Sequence, residues 1–478
     1  MNVERFRENQ EVYIETGIEG FNEILRGFPR GGLIVVSGSP GTGKTTLAAS
    51  FIYNGIVKYG EPGIYASMIE DEKRFHYYMK SFGFDFEKLK ERGLFRYLAL
   101  PTILGPGIGS SINLILENIE VIGAKRLVID SYTAISQMFK DQAEARTFLH
   151  TCFSKIIKQL DCTTILIREE RSSGDKAEHG FEEFIADGLI HLKTDRIENR
   201  LIRELSILKM RGCQIKNPDT CFTLYQGFRA LPPTKITKLA WPSPFKPLPD
   251  PPNGYTTGIP DLDHEIGGFP DKSIILIEAD PMITPLEFAL IGATGIASYI
   301  FRGIPCVYIP SGGMTSEDLK SILRKCGLSD DYLRKYLKFP LDEIEIPTIA
   351  IPAKTSVEDS YQIFEKLRKY VLTIRGWHEK PPIRIIGVDR LAHIFGELFT
   401  HIAHHGVDDT KKYGGLLMWI LKPAYPWLAE RLAPLADIHL KITRRHGCLL
   451  LYGIKPRTPL YAIRFEEGKM PPKLIPIM

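Results

Sequence analysis

The sequence is poor in cysteine and in excess charge of either sign. Seven cysteines are scattered over 478 residues, and none forms a C-x-x-C pair. This excludes a disulfide scaffold and gives no support to a cysteine-based zinc site. Lysine and arginine number 61 against 57 aspartate and glutamate residues, a formal net charge of +4. Such a balance excludes nucleic-acid binding that depends on the overall charge of the protein, but it does not exclude a local basic face.

Long apolar runs are also missing. The most apolar run outside the predicted strands, Leu416 to Leu421, is about a third of the length that a membrane span requires. The first residues, MNVERFRENQEVY, are charged from the fourth position and show no signal-peptide pattern. We therefore expect a cytoplasmic protein with reduced thiols and no membrane segment.

The chain instead contains two copies of one pattern. Residues 16–47 read TGIEGFNEILRGFPRGGLIVVSGSPGTGKTTL, and residues 257–288 read TGIPDLDHEIGGFPDKSIILIEADPMITPLEF, at a constant offset of 241 positions. The segment 231–252 between the copies holds eight prolines, which favour an extended and fairly stiff backbone. We predict a first domain at 1–230, a proline-rich linker at 231–252 and a second domain at 253–478.

The first copy contains a complete phosphate-binding loop. The apolar run Leu33 to Val36 is typical of a buried parallel strand, and Thr46 to Val57 has helical spacing. The loop between them, GSPGTGKT, lets successive backbone N–H groups point at phosphates beside the positive end of the helix. Lys44 would neutralise phosphate charge, and the Thr45 hydroxyl would coordinate magnesium. The predicted ATP-binding residues are Gly38, Ser39, Pro40, Gly41, Thr42, Gly43, Lys44, Thr45 and Thr46.

Two carboxylates complete this predicted Mg-ATP site. Asp130 follows the apolar run 126–129, where a carboxylate can hold magnesium through its water. Glu70 stands after the strand-like run 65–69 and is the candidate for orienting the attacking water. Asp71 and Glu72 are better interpreted as a solvated acidic start of the next helix.

Several short motifs in residues 12–230 resemble the KaiC-like branch of the RecA-type ATPases. They are TGI and GGFPRGG before the loop, SFGFD at 81–85, VIDS at 128–131, ADGLIHL at 186–192 and KMRG at 209–212. The resemblance implies an α/β fold with two tandem RecA-like P-loop NTPase domains. Each would be a twisted, mainly parallel sheet with helices on both faces. Members commonly form hexameric rings, so a homo-oligomer is expected.

Two features bear on catalysis by this family. Members usually carry two consecutive glutamates after the second strand, whereas this chain has Ile69 and Glu70, which implies slow hydrolysis. Lys209 and Arg211 are two residues apart, so on a strand they project from one face. In ring-forming relatives these residues reach the neighbour's γ-phosphate, the arginine-finger arrangement. An ordinary solvated basic edge is the alternative interpretation.

The second copy departs from the first where chemistry would occur. At the offset of 241, Gly38, Lys44 and Thr45 become Ala279, Pro285 and Leu286, so the phosphate-binding residues are lost. We therefore predict a degenerate second domain. Asp389, after the apolar run 384–388, and the Lys455 and Arg457 pair are interpreted as relics, with a residual anion site as the less favoured alternative.

Two further features carry weaker hypotheses. The histidines at 393, 401, 404 and 405 favour a surface or interface cluster over a metal site. The polar segment Ser172 to Phe184 corresponds to the DNA-binding loop of recombinases but mixes charges of both signs. The leading hypothesis is a slow KaiC-like regulatory ATPase. The alternatives are a single-stranded-DNA-dependent ATPase and a nucleotide-gated scaffold without useful turnover.

Overall fold

A computed structural model describes most of the chain. The described residues are 12–100, 107–133, 160–170, 185–236, 245–252, 254–344, 357–422, 426–466 and 469–478, with the single residues 147 and 151. The chain divides into two compact units. One comprises Met1–Pro233, His446–Cys448 and Pro476–Met478, and the other comprises Thr234–Arg445 and Leu449–Ile475.

The first unit is built on a nine-stranded sheet with the order β11-β10-β9-β8-β3-β7-β6-β4-β5. The six strands from β8 to β5 pair in parallel, and β9 to β11 add antiparallel strands at one side. The elements of this unit, in chain order, are β1 Tyr13–Ile14, α1 Phe21–Ile24, β2 Phe28–Pro29, β3 Leu33–Gly38, α2 Lys44–Tyr59, β4 Gly63–Ser67, α3 Glu72–Ser81, α4 Phe86–Glu91, β5 Phe95–Ala99, α5 Gly107–Ile122, β6 Arg126–Asp130, β7 Thr163–Glu169, β8 Gly188–Ile197, β9 Arg200–Met210, β10 Asp219–Thr223 and β11 Arg229–Leu231.

The second unit repeats this architecture. Its nine strands have the order β16-β15-β17-β18-β14-β19-β20-β21-β22, which matches the first sheet strand for strand. Its elements are β12 Gly254–Tyr255, α6 Pro260–Ile266, β13 Phe269–Pro270, β14 Ile274–Ala279, α7 Pro285–Phe301, β15 Cys306–Ile309, α8 Ser316–Lys325, α9 Asp330–Tyr336, β16 Leu337–Lys338, α10 Pro340–Glu343, α11 Val357–Trp377, β17 Ile383–Gly387, α12 Val388–Phe395, α13 Phe399–Tyr413, β18 Leu416–Leu421, α14 Pro426–Leu432, β19 Ile438–Arg445, β20 Cys448–Lys455, β21 Tyr461–Arg464 and β22 Lys473–Pro476.

Helices cover both faces of each sheet. Along β3, Ile34 and Val36 belong to one apolar cluster, and Leu33 and Val35 belong to another on the opposite face. Since successive side chains of a strand point to opposite faces, an all-apolar strand indicates a sheet buried on both sides. The second sheet alternates in the same way. The predicted fold of two tandem RecA-like α/β domains is therefore confirmed.

Two smaller sequence interpretations change in the structure. The run Leu416–Leu421 is itself a buried strand, β18, in the middle of the second sheet. Asp389 does not end a strand, because β17 stops at Gly387 and Asp389 lies in α12. The carboxylate of Asp389 accepts hydrogen bonds from the Gly312 N–H (2.7 Å) and the Ser311 hydroxyl (3.0 Å), which fix the start of that helix. In the described residues no helix has the length and apolarity needed to cross a membrane.

Candidate functional site

The predicted phosphate-binding loop lies between β3 and α2, at the carboxyl end of the parallel strands. The six residues of β3 are all buried, and α2 starts at Lys44 directly after the loop. Gly43 is the N-cap residue of α2, and no side chain caps this helix end. The first N–H groups of a helix have no intrahelical partner and attract anions. The start of α2 is therefore a helix end suited to receive a phosphate.

Gly38 and Gly41 of the loop both have a positive φ, a backbone conformation that favours glycine. Gly38 has a φ of 150°, and a Cβ there would lie 2.2 Å from the Leu192 carbonyl oxygen. A Cβ on Gly41 would meet nothing within 4 Å, so the space above this part of the loop is open. Open space, uncapped N–H groups and a nearby ammonium group together fit a bound triphosphate.

Lys44 is buried beside its own loop. Its ammonium donates to the carbonyl oxygens of Gly38 (2.8 Å) and Ser39 (2.9 Å). Burial lowers the pKa of Lys44, and the carboxylates of Glu169, Asp130 and Glu170 act in the opposite direction. The loop therefore places a desolvated cation, surrounded by acidic groups, where phosphate oxygens would arrive.

Thr45 and Asp130 come together as the sequence predicts for a magnesium site. The Thr45 hydroxyl donates to Asp130 Oδ2 over 3.1 Å, and the Tyr65 hydroxyl donates to the same oxygen over 2.6 Å. Burial raises the pKa of Asp130, although these two hydrogen bonds act in the opposite direction. A hydroxyl and a carboxylate are hard oxygen ligands of the kind that Mg²⁺ prefers. The pair fits a metal held directly by Thr45 and through water by Asp130.

Glu70 lies on the same side of the sheet as Asp130. β4 ends at Ser67, three residues before Glu70, because the Ser67 hydroxyl accepts hydrogen bonds from the N–H groups of Ile69 (3.3 Å) and Glu70 (3.1 Å). Ser67 pairs with Asp130 in the sheet register. Burial raises the pKa of Glu70, and the negative charge of Asp130 adds to this effect. A carboxylate with a raised pKa, close enough to feel the charge of Asp130, is suited to accept a proton from water.

Proteins of known family resemble this chain in its first half. A family model described as "ATPase: KaiC" matches residues 14–228. The UPF0273 protein MJ1359 of Methanocaldococcus jannaschii is 32% identical over 249 residues, covering 47% of this chain and 98% of that protein. The UPF0273 protein PH0284 of Pyrococcus horikoshii is 34% identical over 222 residues, covering 42% and 85%. The circadian clock oscillator protein KaiC of Parathermosynechococcus lividus is 36% identical over 219 residues, covering 44% and 40%.

The chain belongs to the KaiC-like family of the RecA superfamily. Its match to the M. jannaschii protein spans nearly all of that relative. By contrast, the matched part spans only about two fifths of the P. lividus clock protein, which is 40% covered. Residues 14–228 thus form the KaiC-type ATPase domain, and what the longer relatives do as whole proteins bears on this chain only as a proposal.

Glu169 and Glu170 lie beside the phosphate-binding loop, although they are not among the predicted site residues. Glu169 ends β7, directly opposite Gly38 of β3 in the register, and the Glu170 N–H donates to the Gly38 carbonyl (3.2 Å). The sequence pattern that could have indicated them is the pair of glutamates that follows the apolar run 165–167 and Arg168. The order β3-β7-β6 could not be deduced from the chain, so their closeness to Lys44 could not be either.

Lys209 and Arg211 lie at the opposite end of the strands from the phosphate loop of their own chain. Arg211 does not lie near Gly38. Its backbone N–H donates to the Asp187 carbonyl (2.7 Å), and the Asp187 carboxylate accepts from the N–H of Leu33, the first residue of β3. Leu33 is five residues before Gly38, or about 16 Å at the rise of a β-strand. The exposed Arg211 guanidinium also pairs with the Asp187 carboxylate at 2.9 Å. The register therefore separates both residues from the phosphate loop within one chain.

In the second RecA-like domain, side chains of the same chain cap the helix end that corresponds to the start of α2. The α7 helix starts at Pro285, the counterpart of Lys44, and Thr284 and Glu287 form a capping box there. Glu287 Oε2 accepts from the Thr284 N–H and hydroxyl, both at 2.9 Å, and pairs with Arg444. Burial would raise the pKa of Glu287, but Arg444 and Thr284 hold it below its ordinary value. An internal carboxylate thus occupies the anion position at the start of this helix.

The structure gives less support to the remaining predicted sites. Lys455 donates to the Ala436 carbonyl (2.6 Å), a contact that holds the end of β20. Among the described residues, no group of three or more histidine, cysteine, aspartate or glutamate side chains is arranged to hold a metal ion. In the histidine cluster, the His405 ring packs against Phe364 with 5.5 Å between centroids. The segment Ser172 to Phe184, on which the DNA hypothesis depends, lies outside the described residues.

Proposed function

We propose that the chain is a slow, magnesium-dependent ATPase whose first domain binds ATP at subunit interfaces and acts as a regulatory switch. The observation that carries this proposal is the contrast between two equivalent helix ends. The α2 terminus has no side-chain cap and lies beside Lys44 and the Thr45–Asp130 pair, whereas α7 is capped by Thr284 and Glu287. One nucleotide per chain follows from this contrast.

The positions of the site residues support the following proposed roles. The loop N–H groups and Lys44 would bind the phosphates, Thr45 and Asp130 would hold magnesium, and Glu70 would orient the attacking water. Magnesium, when bound, would offset charge that develops on the phosphate oxygens. Glu169 and Glu170 lie close enough to Lys44 to raise its pKa, so they help to keep it charged in a buried place.

Glu70→Gln is expected to lower phosphate release by at least ~100-fold while ATP affinity changes little, because only proton acceptance from water is removed. The raised pKa of Glu70 also places the acid limb of the wild-type rate at higher pH than an ordinary glutamate would. Activity should fall as the pH drops through that pKa, since the protonated carboxyl cannot accept the water's proton. Phosphate release and calorimetric ATP binding, measured across pH, check both statements.

Asp71→Asn is the matched control for Glu70→Gln. Asp71 caps α3 by accepting from the Arg74 N–H (3.0 Å), and asparagine caps a helix equally well. This variant should keep the wild-type rate. Equal phosphate release from wild type and Glu70→Gln would remove the assigned catalytic role. ATP binding with no release from either protein would favour the scaffold hypothesis instead.

The interface position of the nucleotide is supported by Lys209 and Arg211. Since the register holds them far from the loop of their own chain, they can act on phosphate only in another subunit of a homo-oligomer, for which we propose a hexameric ring. In that arrangement Lys44→Met and Arg211→Ala are each inactive, but a mixed ring contains some sites with an intact loop and an intact finger. An equimolar mixture is expected to regain about a quarter of the wild-type rate.

Asp187→Asn is the control for the mixing experiment because it removes the same ion pair with Arg211 without removing the guanidinium. It should keep most of the activity. Each variant's assembly is measured by its mass with and without Mg-ATP. If the variants co-assemble and no rate returns on mixing, or if Arg211→Ala alone is fully active, the trans role of Arg211 is wrong.

A further inference from the structure

An apolar cavity opens on one face of the second sheet, between α11, α13 and the strands β17 and β18. It encloses about 970 Å³ of empty space, counting its open mouth. About 120 Å³ of this space is wide enough for the centre of a water-sized sphere, close to the apolar cavity of about 150 Å³ that binds a benzene-sized ligand. Its walls are mainly aromatic and aliphatic side chains, among them Phe364, Leu367, Phe395, Phe399 and Trp419. This cavity is far too apolar for a triphosphate, yet two arginines, Arg368 and Arg384, lie in its wall.

Of these two, Arg384 on β17 is the one that forms no salt bridge with a carboxylate among the described residues, whereas Arg368 does. Residues 383, 385 and 387 of this strand are buried in alternation with 384 and 386, and both Arg384 and Ile386 line the cavity. Arg384 Nη2 donates to the Gly406 carbonyl (3.4 Å) and to the Thr410 hydroxyl of α13. Both acceptors are neutral. Burial lowers the pKa of Arg384 to about 10.

The nearest carboxylate is already engaged. Asp409 forms a two-bond ion pair with Arg368 of α11, with Nε–Oδ2 and Nη2–Oδ1 distances of 2.9 and 3.0 Å. Glu365, on the same helix, lies 3.7 Å from Arg368 and not against Arg384. Both carboxylates therefore pair with Arg368, and the hydrogen bonds of Arg384 go to neutral acceptors. A buried charge without its own counter-ion is costly, and an anion that neutralises it is correspondingly favoured.

We propose that this cavity binds a monocarboxylic acid with an unbranched apolar chain, its carboxylate paired with Arg384 and its chain against Phe364, Leu367 and Trp419. The guanidinium fork matches a carboxylate in two parallel hydrogen bonds. One uncompensated positive charge fits one negative charge, which excludes di- and triphosphates as good ligands. A neutral apolar molecule would pack against the walls but leave Arg384 without a counter-ion.

The test compares ligands that differ only in the head group. Decanoate, decan-1-ol and decylamine are titrated by calorimetry into the full chain below their micelle-forming concentrations. Decanoate is expected to bind once per chain and at least ~10-fold more tightly than decan-1-ol, because a hydrogen-bonded charge pair is added. Decylamine should bind more weakly still, since its cation meets Arg384. Equal affinities for the acid and the alcohol would overturn the proposal.

Arg384→Met provides the second measurement, with Arg390→Met as its matched control. Arg390 lies in α12, is exposed and does not line the cavity. Arg384→Met should lose at least ~10-fold in decanoate affinity and keep the affinity for decan-1-ol, whereas Arg390→Met should change neither. Unchanged decanoate binding by Arg384→Met refutes the assigned contact. If that variant does not fold, the head-group comparison on the wild type decides alone. Lys44→Met should still bind decanoate, which separates this site from the nucleotide site.

Discussion

Lys44→Met is expected to abolish ATP hydrolysis, with a loss of at least ~100-fold, and to remove measurable ATP binding. The substitution keeps an unbranched side chain but removes the ammonium that would neutralise the β- and γ-phosphates. Preorganised charge in a buried site contributes more than the same charge in water. Calorimetry with Mg-ATP should therefore give one site per chain for the wild type and none for the variant.

The loss should arise without unfolding, because neither carbonyl that Lys44 contacts is left unpaired. The Gly38 carbonyl also accepts from the Glu170 N–H (3.2 Å), and the Ser39 carbonyl also accepts from the Thr42 hydroxyl (2.8 Å). Removing a desolvated cation also removes its burial cost. We expect the unfolding free energy to change by about 1 kcal/mol or less.

Lys455→Met is the control for Lys44→Met, since it removes a lysine from the degenerate domain. Lys455 contacts the Ala436 carbonyl, and no nucleotide role is proposed for it. Its variant should retain one ATP site and the wild-type rate. Two sites per wild-type chain would contradict the self-capped state of α7, and ATP turnover by a folded Lys44→Met protein would contradict the assigned site.

The repeat is the part of the fold that the sequence determines most firmly. The offset of 241 carries Leu33 at the start of β3 onto Ile274 at the start of β14, and Lys44 at the start of α2 onto Pro285 at the start of α7. Buried strands and helix starts are local patterns, so a gapless alignment is enough to place them. The pairing of Thr45 with Asp130 follows from the motif together with the parallel sheet.

Contacts that depend on strand order could not be predicted from the sequence. Tyr65 lies 65 residues before Asp130 in the chain, and Glu169 lies 39 residues after it. Only the strand order β3-β7-β6-β4 brings both residues close to Asp130. The same holds for Arg444, which reaches Glu287 from β19. The sequence shows that the second loop lacks its phosphate-binding residues, but not that a carboxylate takes the anion's place.

Arg126→Met is expected to lower the unfolding free energy of the first domain by about 3 to 5 kcal/mol, the usual cost of breaking a buried ion pair. The Arg126 side chain is fully buried and pairs with Glu61, with Nη2 2.6 Å from Oε2. Its guanidinium also donates to the carbonyl oxygens of Glu15 (2.7 Å), Thr16 (3.2 Å) and Phe51 (2.8 Å). Methionine would fill much of the volume, but Glu61 and the Glu15 and Thr16 carbonyl oxygens would lose these hydrogen bonds; the Phe51 carbonyl lies inside α2 and keeps its helical bond.

The position of the tryptophans lets this loss be assigned to one domain. All four, Trp241, Trp377, Trp419 and Trp427, lie after residue 240, so denaturant unfolding followed by tryptophan fluorescence should be unchanged in Arg126→Met. Circular dichroism, which reports on both domains, should show an earlier transition. The neighbouring Lys125→Met removes only an exposed pair with Asp161 at 3.8 Å and should cost less than ~1 kcal/mol. If both variants unfold at the same denaturant concentration, the Arg126 network does not hold the first domain together, because a buried pair and an exposed one would then contribute alike.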